Sequence, residues 1–371
     1  MPIYRKGEFF NGPGGFAVGA RMARVIDRDG KEYKVEHTWS NEICPDAAKT
    51  YANNICPTAP DTVIVQDVRT LEIESDPRLT PIDAFVFGFP CNDFSIVGEQ
   101  RGIDGDFGPL YSYGIRVLTQ HQPQWFIAEN VSGLQSANDG GAFVQILREM
   151  QAAGYTITPH LYKFEEYGVP QARHRIIIVG IRNDIEVEYR LPAPTHGPGR
   201  EYPYVTAAQA LENIPEEVAN HEFTRHKQKV IDMLNHIPPG ENAWYEGIPE
   251  HLRLNVKGAK LSQIYKRLNP NTPSYTITGS GGGGTHGYHW DEPRALTNRE
   301  RARIQTFPDD FIFSGGKEKV RQQIGMAVPP LAAKIIVESV LKTLAGVEYE
   351  YTQPKWDVNV LLRQQELSVL V

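Results

Sequence analysis

The chain has 371 residues, 40% of them hydrophobic, and a formal net charge of -7, with a sequence pI near 5.9. That length buries a full core as one domain or two, and the acidic balance excludes overall charge as a means of holding nucleic acid, so any such binding has to come from local basic segments. No unbroken apolar run approaches the ~20 residues of a membrane span, no signal-peptide core follows Met1-Pro2-Ile3-Tyr4-Arg5-Lys6, and three cysteines without a C-x-x-C pair exclude a disulfide framework or a cysteine-rich zinc site.

The first element signal is Phe9-Phe10-Asn11-Gly12-Pro13-Gly14-Gly15-Phe16, a short apolar entry, a glycine-rich turn and then a helix-like stretch. Gly12, Gly14 and Gly15 let the backbone approach an adenosyl-type ligand at a helix N-terminus, although a tight turn without a ligand has the same composition. Residues 35–40 read as a strand that delivers Asn41 and Glu42. An acid ~20 residues or slightly more after a glycine turn is where such folds hold ribose hydroxyls; an acid opening the following helix is the alternative. The next strand, 62–65, ends in Gln66-Asp67-Val68, and Asp67 can accept a hydrogen bond from an adenine amino group.

The apolar run Ala84-Phe85-Val86-Phe87 then leads into Gly88-Phe89-Pro90-Cys91-Asn92-Asp93-Phe94-Ser95. Cys91 stands on the turn at a strand's C-terminal end, where open α/β sheets keep their chemistry. Pro90 fixes φ just before the thiol and Gly88 lets the backbone pass close to a ligand, whereas a lone cysteine in such a loop is otherwise structural. Gly98, Gly102, Gly105 and Gly108 give the next segment the composition of a loop able to close over a site, or of an irregular surface loop. The strand 125–128 ends in Glu129-Asn130-Val131, placing a carboxyl beside the thiol's strand. After a helix over 141–153, the run Gln171-Ala172-Arg173-His174-Arg175 enters the apolar strand 176–180. Period-two placement predicts Gln171, Arg173 and Arg175 on one face, where two guanidiniums suit a phosphate and the carbonyl edge of a base; simple alternation along an edge strand competes with that reading.

From 182 to about 293 the strand-helix rhythm stops, prolines and histidines become frequent, and a glycine run at 279–284 appears. This predicts a second, smaller domain with long loops. Two basic segments stand out, Arg253, Lys257, Lys260, Lys266 and Arg267, and then Arg294, Arg299, Arg301 and Arg303. Regular sequence resumes with a helix over 294–305, capped by Thr297 or Asn298 and stopped by Phe307-Pro308-Asp309. Gln323-Ile324-Gly325-Met326-Ala327-Val328-Pro329-Pro330 then opens an apolar helix over about 331–344.

In this order the blocks resemble the DNA cytosine-5 methyltransferase family of restriction-modification systems: glycine turn, strand-end acid, Phe-Pro-Cys, Glu-Asn-Val, Gln-x-Arg-x-Arg, a variable region, Arg-x-Leu-Thr with Gln-x-Phe-Pro, and Gly-x-Ala-Val-Pro-Pro. The resemblance implies an α/β fold, a Rossmann-like S-adenosylmethionine-dependent methyltransferase sheet with helices on both faces. It implies a discontinuous catalytic domain over 1–181 and 294–371 and a target-recognition domain over 182–293. Cys91 would be the nucleophile, with Glu129 on the cytosine ring and Arg173 and Arg175 steadying the base. S-adenosyl-L-methionine would be the methyl donor, lined by Phe10, Gly12, Gly14, Gly15, Asn41, Glu42, Asp67, Val68, Pro90, Leu110 and Ala327, with no metal. Ser95 and the glycine-rich loop would contact DNA. The partners implied are double-stranded DNA and a cognate restriction endonuclease, for a monomer in the cytoplasm, on the nucleoid and not on a membrane. Two positions depart from the family pattern: Asn92 follows the cysteine where glutamine is usual, and Met326 precedes Ala-Val-Pro-Pro where asparagine is usual.

Overall fold

The structure, a computed structural model, describes residues 2–90, 110–255, 261–279 and 284–369, the side chains of 138, 139 and 364–369 excepted. In chain order the elements begin with β1 (Ile3–Phe9), α1 (Gly15–Met22), β2 (Arg24–Ile26), β3 (Glu32–Glu42), α2 (Pro45–Ile55), β4 (Val63–Val65) and β5 (Ala84–Phe87). They continue with α3 (Tyr111–His121), β6 (Trp125–Val131), α4 (Gly141–Ala152), β7 (Tyr155–Lys163), β8 (Gln171–Ala172), β9 (His174–Arg182) and β10 (Leu191–Pro192). Then come α5 (Ala207–Ala210), α6 (Gln228–Asn235), β11 (Ser274–Tyr275), α7 (Asn298–Ile304), α8 (Lys317–Met326), α9 (Pro330–Ala345), β12 (Tyr351–Thr352) and α10 (Val358–Val369). Two compact units divide the chain, one of Met1–Lys163, His174–Pro194 and Ala332–Val371, the other of Phe164–Arg173 and Thr195–Leu331.

The first unit is built on a sheet ordered β2-β3-β1-β5-β6-β9-β7, with β4 paired to β3. Its centre is parallel: Phe9 lies beside Phe87, and Phe87 beside Ala128. The runs Ala84–Phe87 and Trp125–Ala128 are buried along their whole length, the unbroken apolar pattern of strands covered on both faces. On one face Phe9, Phe85, Phe87 and Phe126 share a cluster with Val117 and Leu118 of α3 and Ile146 and Leu147 of α4. The side chains alternating with them on β1, Lys6 and Glu8, meet Tyr51 of α2 on the other face. Helices therefore cover both faces, as expected of the α/β class. The tail, poorly patterned in sequence, packs on this unit: Trp356 meets Phe143 edge to face at 5.0 Å, and the Lys355 N–H donates to His160 Nδ1 at 2.9 Å.

The second unit contains little regular structure, and its small apolar clusters gather around Leu234, Ile237 and Tyr288 and around Leu268, Leu296 and Ile304. Buried guanidiniums hold the rest. Arg267 donates to the carbonyls of Leu234, Ile237 and His289, and Arg299 to those of Ala219, Pro308 and Phe311. Arg301 binds the His286 carbonyl and Asn298 Oδ1. This corrects the second basic segment. Arg299 and Arg301 are buried, while Arg294 and Arg303 pair with Glu300 and Asp309, so these four arginines are internal ties and not an open cationic face. Thr297, not Asn298, caps α7: its hydroxyl accepts the Glu300 N–H while the Glu300 carboxylate accepts the Thr297 N–H. Lys317–Ala345 is long and apolar enough to cross a membrane by length and composition. It is, however, two helices interrupted at residues 327–329, and it is mostly buried within the protein.

Buried histidines make the fold acid-sensitive. Burial pushes His37 down to about 3 and His160 to about 4, so both are neutral in the folded state, whereas the unfolded chain takes up protons on them below about 6.5. Stability is therefore lost as pH falls through that value towards the folded pKa, with a slope from His37 of roughly 1.4 kcal/mol per pH unit. Urea denaturation from about pH 7 to about pH 5 should show a falling midpoint; a constant midpoint would contradict the buried neutral state.

Candidate active site

The turn after β1 is wound through left-handed backbone at Phe10, Gly12 and Gly14, with φ of 56°, 51° and 98°. At Gly14 a side chain is excluded, because a Cβ would fall 2.9 Å from Tyr51 Cδ2, whereas the space over Gly12 is open. Gly15 begins α1 and is buried. The end of β3 clasps this turn: Glu42 Oε2 accepts the Gly12 N–H at 2.8 Å and its Oε1 accepts the Cys44 N–H at 2.9 Å. Burial pushes the Glu42 carboxyl up, the N–H groups of Cys44, Gly12 and Ile43 oppose that, and the Glu8 charge adds to it. Asn41 turns its amide inward instead, donating to the carbonyls of Ile64 and Gln66 and so fixing the end of β4. Asn11 donates to the Gly12 carbonyl, and its buried Oδ1 has no hydrogen-bond partner among the described residues.

Asp67 lies at the end of β4, where it caps a short turn over Val68–Thr70. Its carboxylate is engaged by the Arg69 guanidinium at 2.6 Å and held low by it, while Val68 beside it is buried. Pro90 and Leu110 border residues 91–109, so Cys91, Ser95, Asn92 and the glycine-rich loop lie outside the described residues.

Beside Pro90 the ends of β5 and β6 meet. A Cβ on Gly88 would come within 3.2 Å of Glu129 Oε2, so glycine brings the backbone close to that carboxylate. The other oxygen, Oε1, accepts from Arg175 Nε at 2.9 Å, both side chains being largely buried, at 14% and 15% exposure. Arg175 faces Val131 across the β6–β9 pair, on the same face as Glu129 two residues earlier. Asn130, which sequence reasoning quoted without a role, is buried, and its Nδ2 donates to the Phe89 carbonyl at 3.3 Å while its Oδ1 accepts the Val131 N–H. A buried amide beside a strand-end acid was the available signal. It ties β6 to the backbone two residues before Cys91.

Gln171, Arg173 and Arg175 do not share one strand. The chain breaks at Arg173 between β8, which pairs with β11, and β9, which pairs with β6 and β7. In the second unit Arg173 is buried and donates to the carbonyls of Ile277 and Gly325 at 3.1 and 3.0 Å. Gln171 there accepts the Ile277 N–H and binds Gln305 Oε1. Ala327 is buried in the same unit at the end of α8, and Met326 before it is 67% exposed.

The model of the C-5 cytosine-specific DNA methylase family matches residues 4–342. The chain is 60% identical over 370 residues to the type II methyltransferase M.BbvI of Brevibacillus brevis, covering 98% of each. It is 41% identical over 337 residues to M.NgoFVII of Neisseria gonorrhoeae, covering 90% of this chain and 85% of that one. Among solved structures, an Escherichia coli prophage protein described as a DNA modification methyltransferase aligns with a TM-score of 0.64 at 23% identity, over 92% of this chain and 99% of that one. The Schizosaccharomyces pombe Dnmt2 methyltransferase aligns with a TM-score of 0.59 at 15% identity, over 93% and 100%. At those identities the structural likeness speaks for the fold.

The two arginines should separate by what they hold. Arg173→Met strips two buried carbonyls of their donor and is expected to lower stability by roughly 2–4 kcal/mol. Arg175→Met leaves the largely buried Glu129 carboxylate without its guanidinium and should cost a similar amount, which a second substitution, Glu129→Gln, should partly restore. Glu129→Gln should restore nothing of the Arg173→Met loss; urea denaturation of the single and double variants measures this, and equal restoration in both would contradict the pairing.

Proposed function

Because the chain belongs to the C-5 cytosine-specific DNA methylase family and so is a DNA (cytosine-5-)-methyltransferase, we propose that it flips a cytosine from a specific duplex sequence and methylates it through a thiolate on Cys91. The observation that carries this reading is the contact at the ends of β5 and β6: Glu129 stands against Gly88 with one oxygen held by Arg175 and the other turned to the chain that leads into Cys91. Such a carboxylate suits the N3 and amino edge of a ring brought to the thiol.

The chemistry follows from the residue types. Cytosine C5 is a poor nucleophile, and addition of the Cys91 thiolate at C6 turns the ring into an enamine, dividing one hard step into two easier ones. Glu129 accepts a hydrogen bond from the ring's amino group and shares the proton at N3, offsetting the charge that develops there. Arg175 keeps that carboxylate oriented, and Asn130 holds the turn that presents the thiol. Loss of the C5 proton and departure of the thiolate restore the aromatic ring.

S-adenosyl-L-methionine fits the turn after β1 and supplies an electrophilic methyl group when bound. The open space over Gly12, the excluded side chain at Gly14 and the Glu42 carboxylate make a cradle for a nucleoside. Phe10, Gly15, Asn41, Val68, Pro90 and Leu110 would complete the donor site, and Asp67 would take the adenine amino group by giving up part of its Arg69 contact. Loops of residues 182–293 would read base edges in duplex DNA while phosphate contacts position them. Flipping is required because the reacting atoms lie inside the stack. The similarity to type II methyltransferases supports a role as the modification arm of a restriction-modification system, beside a nuclease of the same specificity. A cytoplasmic monomer acting on the nucleoid fits that role.

Bisulfite sequencing of DNA from cells expressing the protein tests the reading; modified cytosines in one recurring sequence are expected, and unmodified DNA would refute it. Cys91→Ser should abolish methyl transfer to duplex DNA yet keep donor binding by calorimetry, and Glu129→Gln should slow turnover by roughly 10²- to 10⁴-fold. Donor affinity should also fall on acidification, as Glu42 takes up a proton above the usual carboxylate range and stops accepting from ribose hydroxyls. Glu42→Gln should remove that pH dependence, and a pH profile unchanged by the substitution would show that another group sets it.

A further inference from the structure

A polar cluster that the mechanism does not use lies on the sheet face opposite the aromatic core. Lys6 and Glu8, on one face of β1, are 1% and 2% exposed and form an ion pair. Both meet the Tyr51 hydroxyl of α2: Lys6 Nζ lies 3.3 Å from it, and it lies 3.0 Å from Glu8 Oε2. His37 of β3 closes the group, with Nδ1 3.1 Å from the same hydroxyl and Nε2 2.8 Å from Thr62 Oγ1. The Thr62 hydroxyl donates to the Ala59 carbonyl at 2.6 Å, so His37 Nε2 carries the hydrogen and Nδ1 of the neutral ring is an acceptor. The Tyr51 hydroxyl accepts from Lys6 and offers its one proton to two acceptors. It is fixed from three sides.

What that hydroxyl holds in place is an aromatic ring beneath the glycine turn. The ring edge leaves no room for a Cβ on Gly14, 2.9 Å from Cδ2, and the same turn gives its Gly12 N–H to Glu42. A ring that slid along α2 would lift or drop the turn against that carboxylate. We propose that Tyr51 is a positioning residue for the methyl donor: its hydroxyl, pinned by Lys6, Glu8 and His37, fixes the ring on which the Gly12–Gly14 turn rests. The proposal depends on that turn being the donor site.

Tyr51→Phe keeps the ring and removes the pin. Calorimetric titration of the full-length variant with S-adenosyl-L-methionine is expected to show roughly 2- to 10-fold weaker binding, the effect of one lost hydrogen bond passed to the site. The KM for the donor should rise by the same factor, with kcat and the KM for duplex DNA unchanged. His37→Gln, which alters one partner at the rim, should show the same pattern at smaller amplitude and serves if Tyr51→Phe does not fold. Glu42→Gln is the control for the donor site. Unchanged binding by Tyr51→Phe, and by His37→Gln, alongside weakened binding by Glu42→Gln overturns the role of Tyr51. Unchanged binding by Glu42→Gln overturns the donor site itself. A Tyr51→Phe variant losing kcat and DNA affinity together with its melting temperature would show general destabilisation and also overturns the proposal.

Discussion

Register in the three central parallel strands is the constraint on which the first unit depends. With Phe9 beside Phe87 and Phe87 beside Ala128, β1 and β5 stop level with Ala128 of the longer β6, and the residues just past that level bear the chemistry. A slip of one residue would turn Glu129 to the other face and set Phe87 among polar groups. The continuous burial of Phe85, Phe87, Phe126 and Ile127 makes that slip costly. The apolar core thus does more than stabilise. It sets the height at which the glycine turn, Gly88 and Glu129 face one another.

The two units handle buried charge differently. In the first, Lys6 and Glu8 neutralise each other under the central strand, with Tyr51 satisfying what remains. In the second, arginines are surrounded mainly by main-chain oxygens: among the described residues Arg173, Arg267 and Arg299 together reach the carbonyls of nine. Each guanidinium presents five donors in a rigid fork, enough to replace the ladder bonds that an irregular chain lacks. Leaving such carbonyls bare would cost about 1–3 kcal/mol each. This explains how so loop-rich a unit keeps a defined path.

Much of the fold was legible because apolar runs and turn residues are local signals. The strand at 84–87 and the helix at 141 onward appear where patterning puts them, and Thr297 is one of the two caps the pattern offered for α7. β1 was visible only at its apolar end, since Lys6 and Glu8 read as exposed until a partner from 43 residues away is known. The arginine-rich segment at 294–303 misled for the same reason: charge in sequence carries no sign of whether carbonyls surround it. Period two placed Gln171, Arg173 and Arg175 on one strand, and the break at Arg173 arises from pairing with β11, a contact no local pattern announces. At the site, the motif residues stood out by type and spacing, whereas Asn130 and Tyr51 became visible through the partners they hold.

The arginine ties have a consequence for how such a protein changes over generations. A main-chain oxygen is offered by every residue, so a guanidinium that grips carbonyls specifies where a loop runs without specifying which side chains it displays. Segments anchored by Arg267 and Arg299 can exchange their outward-facing residues while the path of the backbone is inherited unchanged. The positions that meet the outside therefore take no part in fixing the path. Loss of a single internal arginine would instead free several carbonyls of one loop at once.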